Sequence, residues 1–263
     1  MAEAEDPKPA QRASAGPAGP KAPSERKRKA DQDPDLVLEH AETPLPSLDE
    51  LRTALDWAFE GEDVPAALLD RYADHARRVL EGNRVMNLTS VVEPREVAAK
   101  HYLDCWRATR LIPLLGRALV DLGSGAGFPG VPVALAEKQA QMTLVDSMQK
   151  RADFLAHTVA DMGIETATAV GERGEDYLAR NRCDIVFMRA ISSVRENVRL
   201  LRKVKHSLKD LVLLKGPSWS REARAAEREA ERLGFRLDTV WEHELPENMG
   251  KRAILVYRAP GGH

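Results

Sequence analysis

Between about positions 47 and 110, apolar residues recur three and four positions apart, the spacing of amphipathic helices. The first stretch, SLDELRTALDWAF, begins with Ser47 and has Glu50 three residues later, which is a capping-box pattern. A second stretch runs from about 64 to 81, and a third begins after Pro94 and continues to about 110. The pattern predicts a helical region over residues 47–112.

From about position 118, short apolar runs alternate with helical stretches near 130–138, 149–162, 194–208 and 219–233. Such runs are typical of buried parallel strands; here they are ALVDL, MTLVDS, TATAV, CDIVFM and LVLLKG. RLDTVWEH and RAILVYR, joined by a short loop, predict an antiparallel pair at the sheet edge. We therefore predict an α/β, Rossmann-like domain over residues 113–263, with ligands outside the carboxyl ends of its strands.

Residues 1–46 have a different composition, rich in Pro, Ala, Lys and acids and poor in large apolar residues. Such a segment cannot bury enough apolar surface to offset its ordering entropy, so we predict a disordered tail. Its RKRK run, Arg26 to Lys29, is either a nucleic-acid or nuclear-import patch or a solvated charge run, and we favour the second interpretation.

Composition, net charge and cysteine content limit which classes of function are possible. The chain of 263 residues has a formal net charge of -2, so any nucleic-acid binding must come from a local basic patch. The two cysteines, Cys105 and Cys183, lie far apart, which argues against a zinc site or a disulfide framework and fits a reducing cytoplasm. No apolar run is long enough to span a bilayer, and no secretion signal is apparent, so we expect no membrane association.

The loop after the first strand, DLGSGAGFPG, is a candidate cofactor site. Its glycines match the dinucleotide pattern G-x-G-x-x-G, but Pro129 removes an N–H that a pyrophosphate would use. Asp121 would also repel an anionic cofactor. S-adenosyl-L-methionine has no phosphate and carries two cationic groups, so it fits this loop better, and Asp146 at the end of the second strand can accept its ribose hydroxyls. A dinucleotide remains the second choice, and a tight turn that binds nothing explains the glycines but not the two acids.

From about residue 83 to residue 258 the chain closely resembles the bacterial small-subunit rRNA guanine-N7 methyltransferases, the RsmG or GidB family. The segments that carry the resemblance are NLTSV (87–91), KHYLDC (100–105), DLGSGAGFPG (121–130), LVDSMQKRADFL (144–155), RGE (173–175), RA (189–190) and LKG (214–216). Their order and spacing together are specific. The chain departs from the family at Cys105, usually Ser, and at Met188, usually a small residue.

The resemblance implies a class I S-adenosylmethionine-dependent methyltransferase fold and methyl transfer to guanine N7 in 16S rRNA of the small ribosomal subunit or its precursor. The family assigns Arg189 to cofactor binding. Gly174 and Glu175 follow the third strand, where the adenine would lie. The predicted cofactor contacts are Asp121, Gly123, Gly125, Phe128, Asp146, Gly174, Glu175 and Arg189.

The residues themselves also favour a ring nitrogen as acceptor. Methylation at pyrimidine carbon 5 needs a cysteine nucleophile, and neither cysteine lies at the end of the fourth or a later strand. Amino-group methylation commonly uses an amide-proline turn after the fourth strand, where this chain has FMRAISS. Guanine N7 already has a free lone pair, so it needs alignment and charge management more than deprotonation.

Three residues that lie near strand ends are candidates for catalysis or substrate contact. Arg189 follows the fourth strand, although it could instead be a surface arginine paired with Glu172 or Glu175. Arg173 could bind a substrate phosphate or only cap a turn. Lys215, at the end of the fifth strand, is a predicted phosphate contact or else a solvated lysine.

The helical region supplies further candidates, Asn87 and His101. His101 and Asp104 are three positions apart, so a His–Asp pair on one helical face is expected to shape the substrate mouth. The segment VRENVRLLRKVKHSLK carries six basic residues, which could attract RNA or form a plain solvated helix face. Two other functions stay open: a methyltransferase for a small molecule or protein, and a nucleotide-binding module without chemistry. No metal is expected.

Overall fold

The computed structural model describes residue 40 and residues 42–261. The predicted disordered tail, with its RKRK run, lies outside the described residues except at positions 40 and 42–46. Within that short described part, Leu45 packs against the core and the Pro46 carbonyl accepts a hydrogen bond from Arg77. The packed structure therefore begins a little before Ser47.

The predicted helical region is present. The capping box is confirmed: the Glu50 backbone N–H donates to Ser47 Oγ at 3.1 Å, and the Ser47 N–H donates to Glu50 Oε2 at 2.7 Å. The third predicted helix is interrupted by a π-helical segment, which the spacing of apolar residues did not indicate. The elements are α1 (Leu48–Ala58), α2 (Ala66–Met86), α3 (Pro94–Val97), the π-helical segment (Ala98–Leu103) and α4 (Asp104–Leu111).

The remainder forms a seven-stranded sheet in the order β3-β2-β1-β4-β5-β7-β6. Neighbours among the first five strands are parallel, whereas β7 runs antiparallel to both β5 and β6. This confirms the predicted mostly parallel sheet with an antiparallel edge pair. The strands are β1 (Ala118–Leu122), β2 (Gln141–Asp146), β3 (Ala167–Gly171), β4 (Ile185–Arg189), β5 (Asp210–Lys215), β6 (Arg236–Glu244) and β7 (Lys251–Arg258).

Five helices connect the strands, and two of them differ from the prediction. α7 was not predicted because it is short and buries a single leucine, Leu178. The helix expected near 194–208 ends at Leu200 and continues as a short 3-10 turn, although Leu201, Val204 and Leu208 stay buried and so extend the apolar periodicity. The helices are α5 (Gly130–Ala136), α6 (Gln149–Asp161), α7 (Gly174–Arg180), α8 (Val194–Leu200) and α9 (Trp219–Leu233).

The core has two parts, one on each face of the sheet. One part joins the helical region to the sheet, because Tyr72 and Tyr102 pack in the same cluster as Leu144 and Phe187. The other lies between the opposite face and helices α8 and α9. The helical region therefore covers one face of the sheet, and it brings its polar side chains to the carboxyl ends of the strands.

Candidate active site at the carboxyl ends of the strands

The glycine loop, residues 123–130, leaves the carboxyl end of β1 between the ends of β2 and β4. Gly123 and Gly125 have φ values of 69° and 57°, the left-handed region that residues with a Cβ rarely adopt. The loop turns sharply there and leads directly into α5. Its backbone therefore lies at the point where a doubly wound sheet binds ligands.

Asp121 closes the loop from inside. Its Oδ2 accepts hydrogen bonds from Ser124 Oγ at 2.5 Å and from the Gly130 N–H at 2.9 Å. The side chain is completely buried, and Oδ1 has no hydrogen-bond partner among the described residues. Burial raises the pKa of Asp121 to about 6, against the opposing effect of its two hydrogen bonds. A cationic ligand group would relieve this cost, so the residue fits a positively charged cofactor.

Asp146 fixes the loop from the neighbouring strand. Its Oδ2 accepts a hydrogen bond from the Gly125 N–H at 2.9 Å, and its Oδ1 accepts one from the Met148 N–H at 2.9 Å. Each carboxylate oxygen retains a second lone pair. Asp146 can therefore hold the loop and accept a ribose hydroxyl at the same time.

The residues after β3 form the start of α7. Gly174 packs against the end of β1, where an added Cβ would lie 2.8 Å from Leu122 Cδ2. Glu175 is half-buried in the first turn, and Arg173 is exposed at the N-cap position. The Arg173 side chain makes no capping hydrogen bond. Its guanidinium therefore remains a candidate for contact with a phosphate.

Arg189 points into the protein at the end of β4. Its guanidinium donates to His101 Nδ1, contacts Cys105 Sγ at 3.6 Å and lies 5.5 Å from the centroid of the Phe128 ring. Glu172 pairs with Arg180 instead. The alternative that Arg189 is a surface arginine paired with Glu172 or Glu175 is therefore wrong.

His101 lies between Arg189 and the helical region. Its ring stacks on Phe128 with centroids 4.5 Å apart, and its Nε2 lies 3.1 Å from Thr89 Oγ1. Burial and the Arg189 charge hold the pKa of His101 well below its usual value, so the imidazole is neutral.

The expected pairing of His101 with Asp104 is wrong. Asp104 binds His243 Nε2 at 3.1 Å, and both of these side chains are buried. The physical reason is the π-helical segment Ala98–Leu103, whose wider turn rotates residues three apart away from a common face. The local spacing of the sequence does not reveal such a segment.

Lys215 is buried rather than solvated. Its ammonium group donates to the Ser192 carbonyl and lies 3.0 Å from Glu222 Oε2. The alternative of a solvated lysine is therefore wrong. Contact between Lys215 and a substrate phosphate stays a prediction. To bind a phosphate, the ammonium group would have to give up its contact with the Glu222 carboxylate.

Asn87 ends α2 in the left-handed conformation, with a φ of 46°. The turn that follows α2 places Thr89 beside His101. The Thr89 N–H donates to Asn83 Oδ1 at 2.8 Å. Asn83 and Thr89 were not predicted as site residues from the sequence. One signal was available, because Asn83 is a polar residue on the buried face of α2.

The basic segment after β4 is not a single helix. Arg199 pairs with Glu229 on α9 at 2.7 Å, Arg195 donates to the Ala225 carbonyl, and Lys205 donates to the Leu233 carbonyl at 2.9 Å. Half of the predicted basic face is thus bonded to α9 or its end. The expectation of one continuous helix over this segment is wrong, because the chain turns after Leu200.

Two features are not found in the part of the chain that the structure describes. Across residues 42–261, no helix is both long and apolar enough to cross a membrane. Among the same described residues, His, Cys, Asp and Glu side chains form no cluster of three or more that could hold a metal ion. Cys105 and Cys183 are buried free thiols.

Taken together, the strand order with β7 inserted antiparallel, the glycine loop and the two acids at strand ends define a class I methyltransferase. The family model for rRNA small subunit methyltransferase G, GidB, matches residues 68–249. The chain belongs to this family, which confirms the resemblance seen in the sequence.

Two relatives illustrate the similarity. The ribosomal RNA small subunit methyltransferase G of Solibacter usitatus is 36% identical over 195 residues, covering 73% of this chain and 91% of that protein. The protein of the same name from Carboxydothermus hydrogenoformans is 33% identical over 196 residues, covering 73% of this chain and 82% of that protein.

Proposed function

We propose that this small-subunit rRNA methyltransferase transfers the methyl group of S-adenosyl-L-methionine to N7 of a guanine in 16S rRNA, without a protein base. The observation that carries the proposal is the state of His101, the imidazole beside Arg189. Its two ring nitrogens are engaged, one by Arg189 and the other by Thr89. His101 therefore has no nitrogen free to take a proton from the acceptor.

The residues of the loop fit the methyl donor. When bound, S-adenosyl-L-methionine supplies an electrophilic methyl group on a sulfonium centre. Asp146 would accept from the ribose. Asp121, whose Oδ1 has no hydrogen-bond partner in the described part of the chain, would compensate cationic charge near the loop. Gly174 and Glu175 would border the adenine. Gly123, Gly125 and Phe128 shape the wall against which the donor lies.

The substrate side requires placement more than acid–base chemistry. Guanine N7 attacks with its own lone pair, and the positive charge passes from sulfur to the purine. Arg189 would hold the donor in line, while Arg173 and Lys215 would fix the RNA and Asn87 would border the mouth. Placement alone can contribute roughly 7–11 kcal/mol to lowering the barrier.

The cellular setting follows from the substrate. Small ribosomal subunits are assembled in the bacterial cytoplasm, and two free thiols suit a reducing compartment. We therefore assign the chain to the cytoplasm. A methyltransferase for a small molecule or protein would show no salt-sensitive RNA binding, and a non-catalytic module would transfer no labelled methyl to rRNA.

The test is a single-turnover measurement with saturating labelled methyl donor and small-subunit rRNA. The rate constant of methyl transfer is expected to vary less than about twofold between about pH 6.5 and 8.5, since no group is deprotonated. A tenfold rise per pH unit anywhere in that range would contradict the base-free mechanism. No transfer to rRNA at any pH would contradict the function itself.

A further inference from the structure

We propose that Thr89 is a positioning residue of the active site. Its hydroxyl oxygen fixes the tautomer of His101, and His101 in turn holds the guanidinium of Arg189 beside the glycine loop. The proposal rests on the proposed function, in which Arg189 contacts the methyl donor. It assigns a role to a turn in the helical region that lies outside the α/β sheet.

The donor and acceptor roles follow from Arg189. A guanidinium carries only N–H donors and stays protonated at all physiological pH values. His101 Nδ1 must therefore present its lone pair to Arg189. The single proton of the neutral ring then lies on Nε2, which donates to Thr89 Oγ1 at 3.1 Å.

Thr89 is itself held as a fixed acceptor. The Val91 N–H donates to Thr89 Oγ1 at 3.0 Å, so two donors, that amide and the His101 ring, use both lone pairs of the hydroxyl. The Thr89 N–H is bound in turn by Asn83 Oδ1 at 2.8 Å, and the Asn83 side chain is almost completely buried on α2. The turn after α2 therefore fixes where the Nε2 proton of His101 must point.

The imidazole has little freedom to respond in another way. Its stacking on Phe128 fixes the ring plane, and burial disfavours the doubly protonated ring. Without the Thr89 acceptor, a proton on Nε2 would be buried and unsatisfied. The ring would then favour a proton on Nδ1, which faces the N–H groups of Arg189 and would displace them.

The matched pair of variants is Thr89→Val, which keeps the shape and removes the oxygen, and Thr89→Ser, which keeps the hydroxyl. Nitrogen NMR of protein labelled in its histidines reports the tautomer, and the His101→Asn spectrum assigns the signal. The wild-type and Thr89→Ser proteins are expected to show the proton on Nε2. Thr89→Val is expected to lose that state and to raise the KM for S-adenosyl-L-methionine about tenfold, with the KM for rRNA unchanged.

Wild-type protein with the His101 proton on Nδ1 would overturn the proposal, even if no variant folds. A folded Thr89→Val protein with an unchanged tautomer and an unchanged cofactor KM would overturn it as well. The tautomer is read without any turnover. An inactive wild-type enzyme with the proton on Nε2 would therefore refute the proposed function, whereas the part of Thr89 in setting the tautomer of His101 would stand.

Discussion

At Asp121 the needs of stability and of ligand binding are opposed. Burial of the charged carboxylate costs stability, whereas a cationic ligand needs that charge. Asp121 is fully buried, and only one of its two oxygens is hydrogen-bonded within the described residues. Burial raises its pKa from 3.8 to about 6 in the folded protein. Between those two values the folded state holds the proton more tightly than the unfolded state does. The free energy of unfolding therefore falls as the pH rises through about 6.

We predict that Asp121→Asn removes this dependence on pH. A difference of about two pKa units corresponds to about 3 kcal/mol for a buried group. In urea unfolding, the stability of Asp121→Asn relative to the wild type should therefore increase by about that amount between pH 4 and pH 7.5. The variant should also bind S-adenosyl-L-methionine more weakly at pH 7.5, since the compensating charge is lost.

The control is Asp161→Asn, on a helix surface with a side chain that is 61% exposed. Its stability relative to the wild type should change little over the same range, because exposed ion pairs contribute at most about 1 kcal/mol. If the difference for Asp121→Asn is the same at both pH values, burial does not control this carboxyl group.

The elements of the α/β sheet could be predicted well because buried parallel strands consist of nearly continuous apolar runs. The errors have physical causes. α7 was not predicted because Leu178 is its one buried residue. The helix that ends at Leu200 was predicted too long because buried residues continue at helical spacing in the turn that follows. A π-helical segment, as in 98–103, depends on the packing around it rather than on local spacing.

The ion pair that Arg199 of α8 forms leads to a prediction about RNA binding. Arg199 pairs with Glu229, whereas Arg173 is exposed at the carboxyl edge of the sheet and forms no ion pair with any described residue. Arg173→Gln should therefore reduce the slope of log affinity against log salt concentration by about 0.7–0.9, the contribution of one phosphate contact. Arg199→Gln, the matched control, should leave the slope unchanged. Filter binding between 50 and 200 mM salt measures both slopes. A reduced slope for Arg199→Gln with an unchanged slope for Arg173→Gln would indicate that α8, and not Arg173, contacts the RNA.

On the scale of the whole molecule, the site joins residues that the chain separates widely. Arg189 and His101 are 88 positions apart, and Asp104 and His243 are 139 apart. The glycine loop, the acids at strand ends and Arg189 could be selected from the sequence because each follows a recognisable strand. The partners of Arg189, His101 and Cys105, could not be selected, because they are determined by how the helical region packs on the sheet.

The same packing places the helical region and one face of the α/β sheet in a shared part of the core, so the donor site and the substrate mouth are fixed relative to each other. Such an arrangement suits a reaction that depends on alignment. An acceptor nitrogen with its own lone pair needs only to be held in line with the donor methyl. The identity of the methylated atom therefore distinguishes this mechanism from one that needs a protein base.

The most direct test is chemical mapping of that atom. Small subunits from a strain lacking the gene are incubated with the protein and S-adenosyl-L-methionine, and their rRNA is treated with borohydride and then aniline. The expected result is strand cleavage at a single guanine, dependent on the protein and on the methyl donor, because 7-methylguanine is cationic and labile to this treatment. Methyl incorporation into the rRNA without cleavage would contradict the N7 assignment.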